Sequence, residues 1–254
     1  VSWNWKAGTA VSGATTGGGT AKTYTGSVNT TAGFSIIKYI GNSGAGHQIP
    51  HRLGVTPQMI IVKCLNQAQG WTVYQQSLGS GTPQNYWIRL DETGGETSAS
   101  DIWYNTAPNA TNFTVGSSDN VNGGLNYIAY CFTEKTGFSK FGIYQGNSSS
   151  NGPFIYTGFR PAFVMIKQAT GGNANEVWRM MDGTINPTNT VQKFLVANSS
   201  SAEATSSGNT ISMFSNGFKI NTGGENSMNT NYGYIYMAFG QPIVSTNGDI
   251  ATAR

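Results

Sequence analysis

The feature that most constrains this chain is that it repeats itself. Gly33-Phe34-Ser35 returns as Gly137-Phe138-Ser139, 104 positions later. Tyr39-x-Gly41-Asn42 returns as Tyr144-x-Gly146-Asn147 at an offset of 105. Pro57-x-Met59-Ile60-Ile61-Val62-Lys63 matches Pro161-x-Phe163-Val164-Met165-Ile166-Lys167, again at 104. Phe113-Thr114-Val115 matches Phe218-Lys219-Ile220 at 105, and Tyr127–Phe132 matches Tyr234–Phe239 at 107. Matches in constant order and at nearly constant spacing mark a duplication, so whatever one copy folds into, the chain builds twice.

What one copy folds into follows from its texture. Each matched block is a short apolar or alternating run between clusters of Gly, Asn, Ser and Thr, which is the strand signature. The first copy offers strands at 33–40, 58–65, 71–75, 86–90, 102–104, 113–115 and 127–132. The second offers 138–144, 154–157, 162–167, 177–181, 194–197, 211–214, 218–221 and 234–239. Seven or eight strands per copy is the density of a β-sandwich. Met59–Val62 and Val164–Ile166 are apolar at every position, so those strands are covered on both faces. Composition agrees: 25 Asn and 34 Gly stand against six Leu and six Glu, which excludes a helical bundle or coiled coil and leaves very little helix. Aromatic residues at 12% are enough to fill a core, which argues against disorder.

The expected layout is residues 1–5 as a terminal strand of a preceding repeat, 6–32 as a Gly/Thr/Ser-rich linker, 33–136 and 137–241 as tandem β-sandwich repeats, and 242–254 as a C-terminal tail. Val1, Trp3 and Trp5 alternate with Ser2 and Asn4, the pattern of a strand packed on a body. Only Thr133–Thr136 separate the copies, a hairpin-length joint, so the copies are expected to touch and to be able to share a sheet. The chain opens without Met, which suggests processing or partial representation.

Chemistry is sparse. Charged residues make up 10% of the chain, against about 25% in ordinary domains. The net charge is +3 with no basic cluster, so no nucleic-acid groove is expected. No apolar run is long enough to insert in a membrane. Asp91, Glu92, Glu96 and Asp101 crowd one loop, but the second copy has mainly Glu203 there and the spacing fits no calcium loop. His47 and His51 flank Gln48-Ile49-Pro50 without a nearby acid or Cys, and read as locally hydrogen-bonded rather than catalytic or metal-binding. No nucleophile elbow or phosphate loop is present. The expectation is no enzyme, no metal and no cofactor. The remaining lead is aromatic. Trp71 and Trp178 match between copies and read as core. In Tyr86-Trp87-Ile88-Arg89-Leu90, alternation places Trp87 and Arg89 on one face, and if the other face is the core they stand outside. With Trp103 they are the candidate binding residues, for a subunit interface or a glycan.

Several stretches resemble a known group. Trp3-Asn4-Trp5-Lys6-Ala7-Gly8 with Ala32-Gly33-Phe34-Ser35-Ile36, His51-x-Leu53-Gly54-x-x-Pro57, Asn105-Thr106-Ala107-Pro108, Gly152–Pro161 and Ala197-Asn198-Ser199-Ser200 are similar to repeats of tail-fibre-like virion proteins of marine tailed bacteriophages. The resemblance implies jelly-roll or lectin-like sandwiches and a longer parent protein that ends naturally at Arg254. It implies localisation to the virion surface or tail after assembly in the host cytoplasm. The implied function is host-surface recognition from a distal fibre or appendage, with other virion subunits and a host glycan or protein as partners. A capsid-decoration or fibre-shaft protein and a polysaccharide depolymerase are the alternatives. Fibres of this kind are commonly homotrimers, so Trp87, Arg89 and Trp103 are expected to meet a neighbouring chain. Phage parts assemble in a reducing cytoplasm, which favours free thiols at Cys64 and Cys131 over a disulfide.

Overall fold

The structure, a computed structural model, describes residues 8–171, 176–184, 189–221 and 228–240, together with the backbone of Pro242–Val244 and Ile250–Thr252. The expected strand at Val1–Trp5 and most of the tail lie outside the described residues. The chain is all-β, with several antiparallel sheets and, among the described residues, one four-residue α-helix. It divides into two compact units, Val1–Arg89 with Glu96–Glu134, and Leu90–Gly95 with Lys135–Arg254.

The first unit contains β1 (Thr9–Ala14), β2 (Thr16–Gly17), β3 (Thr23–Asn29), β4 (Phe34–Ile40), β5 (His47–Pro50), β6 (Met59–Cys64), β7 (Trp71–Gln75), β8 (Tyr86–Arg89), β9 (Thr97–Ser98), β10 (Asn112–Val115) and β11 (Asn126–Phe132). Eight of them form a sheet in the order β1-β3-β4-β11-β6-β7-β8-β9, and three form a smaller sheet, β10-β5-β2. The second unit contains β12 (Ser139–Gln145), β13 (Phe154–Tyr156), β14 (Pro161–Gln168), β15 (Arg179–Asp182), β16 (Thr190–Val191), β17 (Lys193–Val196), β18 (Ala204–Thr205), β19 (Ile211–Phe214), β20 (Gly217–Ile220) and β21 (Gly233–Gly240). Its sheets run β12-β21-β14-β15-β17-β18 and β13-β20-β19-β16. The order β4-β11-β6-β7-β8-β9 is therefore repeated strand for strand as β12-β21-β14-β15-β17-β18.

The same side chains hold both units. In the first, Tyr39 and Tyr127 stack at 5.2 Å, and Tyr144 and Tyr234 stack at 5.2 Å in the second. The Tyr39 hydroxyl donates to the Val121 carbonyl and the Tyr144 hydroxyl to that of Met228. Burial pushes both phenols well above their ordinary pKa, the stacked Tyr beside each adding to the shift, so both stay neutral donors. One residue further on, Asn122 accepts from the Asn42 N–H and donates to the carbonyls of Gly44 and Gly116. Asn229 likewise accepts from the Asn147 N–H and donates to the Ser149 carbonyl. A side-chain amide that closes several backbone groups at once replaces a ladder where the chain turns out of the sheet. Around these corners, Ile49, Ile60, Val62, Phe113 and Val115 in the first unit match Ile155, Val164, Ile166, Phe218 and Ile220 in the second. Each fully buried aliphatic or aromatic side chain contributes about 1.5–3 kcal/mol.

The structure departs from the sequence reading in four places. The segment expected to be a linker, 6–32, contains β1, β2 and β3. Its Gly/Thr/Ser composition hides Tyr24, which is buried, pairs opposite Tyr39 and anchors β3 against the core. The joint at Thr133–Thr136 does not merge the copies into one sheet, since β11 and β12 belong to different sheets. Residues 102–104, expected as a strand, instead close α1 (Ser100–Trp103), with Asp101 in its first turn and Tyr104 in the left-handed region at its C-terminus. The chain passes so close to this turn at Gly116 that a Cβ there would lie 2.2 Å from the Asp101 carbonyl oxygen. Finally, both faces of β8 are covered, as described below.

Candidate functional site

Among the three residues singled out from sequence, Trp103 is 1% exposed and belongs to the core of the first unit, edge-on to Tyr74 at 5.8 Å. It is closed to any ligand or neighbouring chain. Trp87 is half-buried and packs on the same core, with the Arg89 guanidinium 5.1 Å from its ring centroid. The alternation was read with the right period, but the core lies on the Trp87 side. Arg89 pairs with Thr72 and Trp87 shares the face of Tyr74, while Ile88 is buried on the opposite face beside Val73. The second unit repeats the aromatic–guanidinium contact by other means. There Arg179 pairs with Val196 at the equivalent of Thr72–Arg89, and its guanidinium lies 4.3 Å from the Phe194 ring. The cation has moved to the neighbouring strand and the contact has survived, as a packing device near the end of the sheet would.

The titratable groups are absorbed by the fold. His47 is buried, with Nδ1 2.8 Å from the Asn122 amide oxygen and Nε2 2.5 Å from the Thr15 hydroxyl. His51 is buried, its Nδ1 accepting from the Leu53 N–H and its Nε2 donating to the Asn109 carbonyl. Burial lowers the pKa of both, opposed in each by one hydrogen bond. Cys64 and Cys131 are free and buried. Tyr127 lies opposite Cys64 and Ile60 opposite Cys131, so the thiols stand four positions apart along the ladder, roughly 13 Å. Burial also raises the Cys131 thiol to about 12, which leaves it an inert core group. Sequence reasoning missed a buried charged group in the second unit. Lys167 donates to the Glu176 carbonyl, and its pKa is lowered to about 8 by burial, with Glu176 opposing. Lys167 is matched by Lys63 in the repeat, which is half-buried, so sequence alone gives no sign of this difference. Glu96 of the acidic loop is spent on the Gly79 N–H at 2.8 Å. Among the described residues, no three His, Cys, Asp or Glu side chains come together as a metal site.

The feature that packing does not account for lies on the small sheet of the second unit. Ile155, Phe218, Met213 and Ile211 point inward to the core. The alternate positions, Phe154, Tyr156, Phe214, Lys219 and Ser212, point outward. Phe154 is 47% exposed, Tyr156 65% and Phe214 39%. Tyr156 and Phe214 both lie opposite Gly217 across the three strands β13, β20 and β19. The Phe154 ring lies over that glycine, where a Cβ would come 2.8 Å from its tip, and meets Phe214 edge-on at 5.9 Å. The next row holds Lys219, whose Nζ donates to the Asn151 side chain at 2.5 Å, and Ser212, which accepts from the Asn221 amide at 2.7 Å. At the end of β19, Arg160 donates to the Met213 carbonyl at 2.7 Å. The strand at 154–157 was expected from sequence, but which of its faces is inside is set by the pairing with β20.

A domain family of unknown function, DUF7483, matches residues 1–242. The chain belongs to the DUF7483 family. The match spans both units, so a DUF7483 domain includes the whole duplicated architecture rather than one copy. No curated protein and no solved structure matches the chain. Among the described residues, no helix is long and apolar enough to cross a membrane.

Proposed function

We propose that this DUF7483 chain is a non-enzymatic virion module of a tailed phage. In this reading it is a tandem of two jelly-roll-like β-sandwiches, carried on an exposed appendage such as a distal tail fibre, and it recognises the host surface. The observation that carries the reading is the contrast between conserved and changed faces within one chain. The inward Ile49, Phe113 and Val115 are matched by Ile155, Phe218 and Ile220, while Gln48 and Pro50 of β5 are replaced by Phe154 and Tyr156 of β13. A scaffold that keeps its core and varies one solvent face is suited to presenting a recognition surface. The resemblance of the repeats to tail-fibre-like proteins points the same way and implies a homotrimer whose other partners are virion subunits. Trp103 takes no part in such an interface, because its own unit already buries it.

Two measurements test this. Antibodies raised against the chain, imaged on purified particles, are expected to decorate the tail or an appendage. The purified chain is expected to compete with particles for adsorption to host cells. Label confined to the capsid or a fibre shaft, with no competition, would overturn the recognition reading in favour of a structural part. Sedimentation velocity at micromolar concentration is expected to show trimers.

A further inference from the structure

The outer face of β13–β20–β19 combines three exposed rings with one cation and several neutral polar groups. Exposed rings at 154 and 156 are not a requirement of the fold, because the corresponding residues of the first unit are Gln48 and Pro50. The occupant has to be apolar on one side and hydrogen-bonding on its edges. Among the described residues, the cationic side of the face is not neutralised from within. Lys219 is held by the Asn151 amide and Arg160 by the Met213 carbonyl and the Asn189 side chain, with no carboxylate on either among the described residues. The exposed ring area falls short of what a protein partner would cover. At about 150–250 Å² per fully exposed ring, the three exposed fractions come to roughly 300 Å². A stable protein interface needs about 800 Å² on each side. Two or three pyranose rings, whose C–H faces stack on aromatic rings and whose edges carry hydroxyls, fit that area.

We infer that this face binds an acidic polysaccharide, with sugar rings on Phe154, Tyr156 and Phe214 and a uronate-type carboxylate on Lys219. This deepens the recognition reading above and rests on it. Ser212, Asn221 and Asn151 supply hydroxyl and amide groups on the same side. Tyr156 carries the largest exposed area and Lys219 the charge preference.

The test uses the whole chain with oligogalacturonate as probe and its methyl ester as the uncharged counterpart, read by calorimetry and by chemical-shift changes. Oligogalacturonate is expected to bind, and to bind about tenfold more weakly when salt is raised from 20 to 500 mM. Tyr156→Ala is expected to weaken binding about tenfold at unchanged melting temperature. Lys219→Gln is expected to remove the preference over the methyl ester and most of the salt dependence. Equal binding of the acid and the ester by the wild-type chain would overturn the acidic class, and shifts located away from β13, β20 and β19 would overturn the site. Sedimentation showing self-association that Tyr156→Ala abolishes would overturn it in favour of a second copy. Adsorption competition separates this inference from the functional reading. If the wild-type and Tyr156→Ala chains compete equally well, recognition stands and this site falls. If oligogalacturonate binds on this face but neither chain competes, the site stands and the recognition reading falls.

Discussion

Behind Ile49 and Phe113 in the first unit, and behind Ile155 and Phe218 in the second, the small sheets turn to solvent with different chemistry. On the outward side of these strands the first has Gln48, Pro50, Asn112 and a buried Thr114, and the second has Phe154, Tyr156, a buried Gly217 and Lys219, position for position. Their edges differ too. In the first unit β2 extends the sheet beyond β5, with the Thr16 hydroxyl donating to the Gln48 amide oxygen. In the second the extension is on the other side, where β19 and β16 lie beyond β20. The core is filled accordingly, by Ile102 and Trp103 of α1 in the first unit and by Ile211 and Met213 of β19 in the second. One inner face thus tolerates a helix or a strand at the same depth, because burial rewards apolar volume and does not prescribe the backbone that delivers it. The outer face is free of that constraint, and there the two copies differ in chemistry.

The sharpest way to break the comparison is at the helix that has no counterpart. Trp103→Ala removes a fully buried indole and is expected to cost about 3–5 kcal/mol in chemical denaturation. A loss under 1 kcal/mol would mean that α1 is not part of the core. The shared corners come next. Asn122→Ala and Asn229→Ala each leave buried backbone groups without their partner, at about 3 kcal/mol for the set. Asn122 is expected to be the costlier, since it also holds His47. If Asn229→Ala were silent, the corner would be a device of the first unit alone.

Acid should then separate the units. Both histidines lie in the first, and burial holds each below its ordinary pKa. Unfolded histidines take up a proton near pH 6.5 while the folded ones resist it, so stability falls as pH drops below that value, by at most about 1.4 kcal/mol per pH unit for each histidine. In the second unit burial raises the Glu176 carboxyl, a shift that adds stability as pH falls. Hydrogen exchange at pH 7 and pH 5, corrected for intrinsic rates, is expected to show β5 and β10 losing protection while β13 and β20 keep it. Equal losses in both units would contradict this origin. The smallest effect is expected at the surface. Tyr156→Ser and Gln48→Phe should each change stability by less than about 0.5 kcal/mol, and a larger drop for Tyr156→Ser would show that the ring serves the fold.

The duplication, the all-β class and the doubly covered strands around Met59–Val62 and Val164–Ile166 were legible because repeats and two-residue periods are written directly in the order of side chains. The same period carries no sign. It placed Trp87 with Arg89 but left open which face of that strand is inside, and it gave 154–157 as a strand with no face assigned. Only the pairing of β8 with β7 turned Trp87 toward the core, and only the pairing of β13 with β20 turned Phe154 and Tyr156 to solvent. Composition misread β1 to β3 in the same way, because Thr, Ser and Gly serve an edge strand as well as a linker once Tyr24 has a core to enter. Residue order fixes what alternates, and tertiary packing decides which side is dry, because burial is a property of two surfaces meeting and a sequence records only one of them at a time.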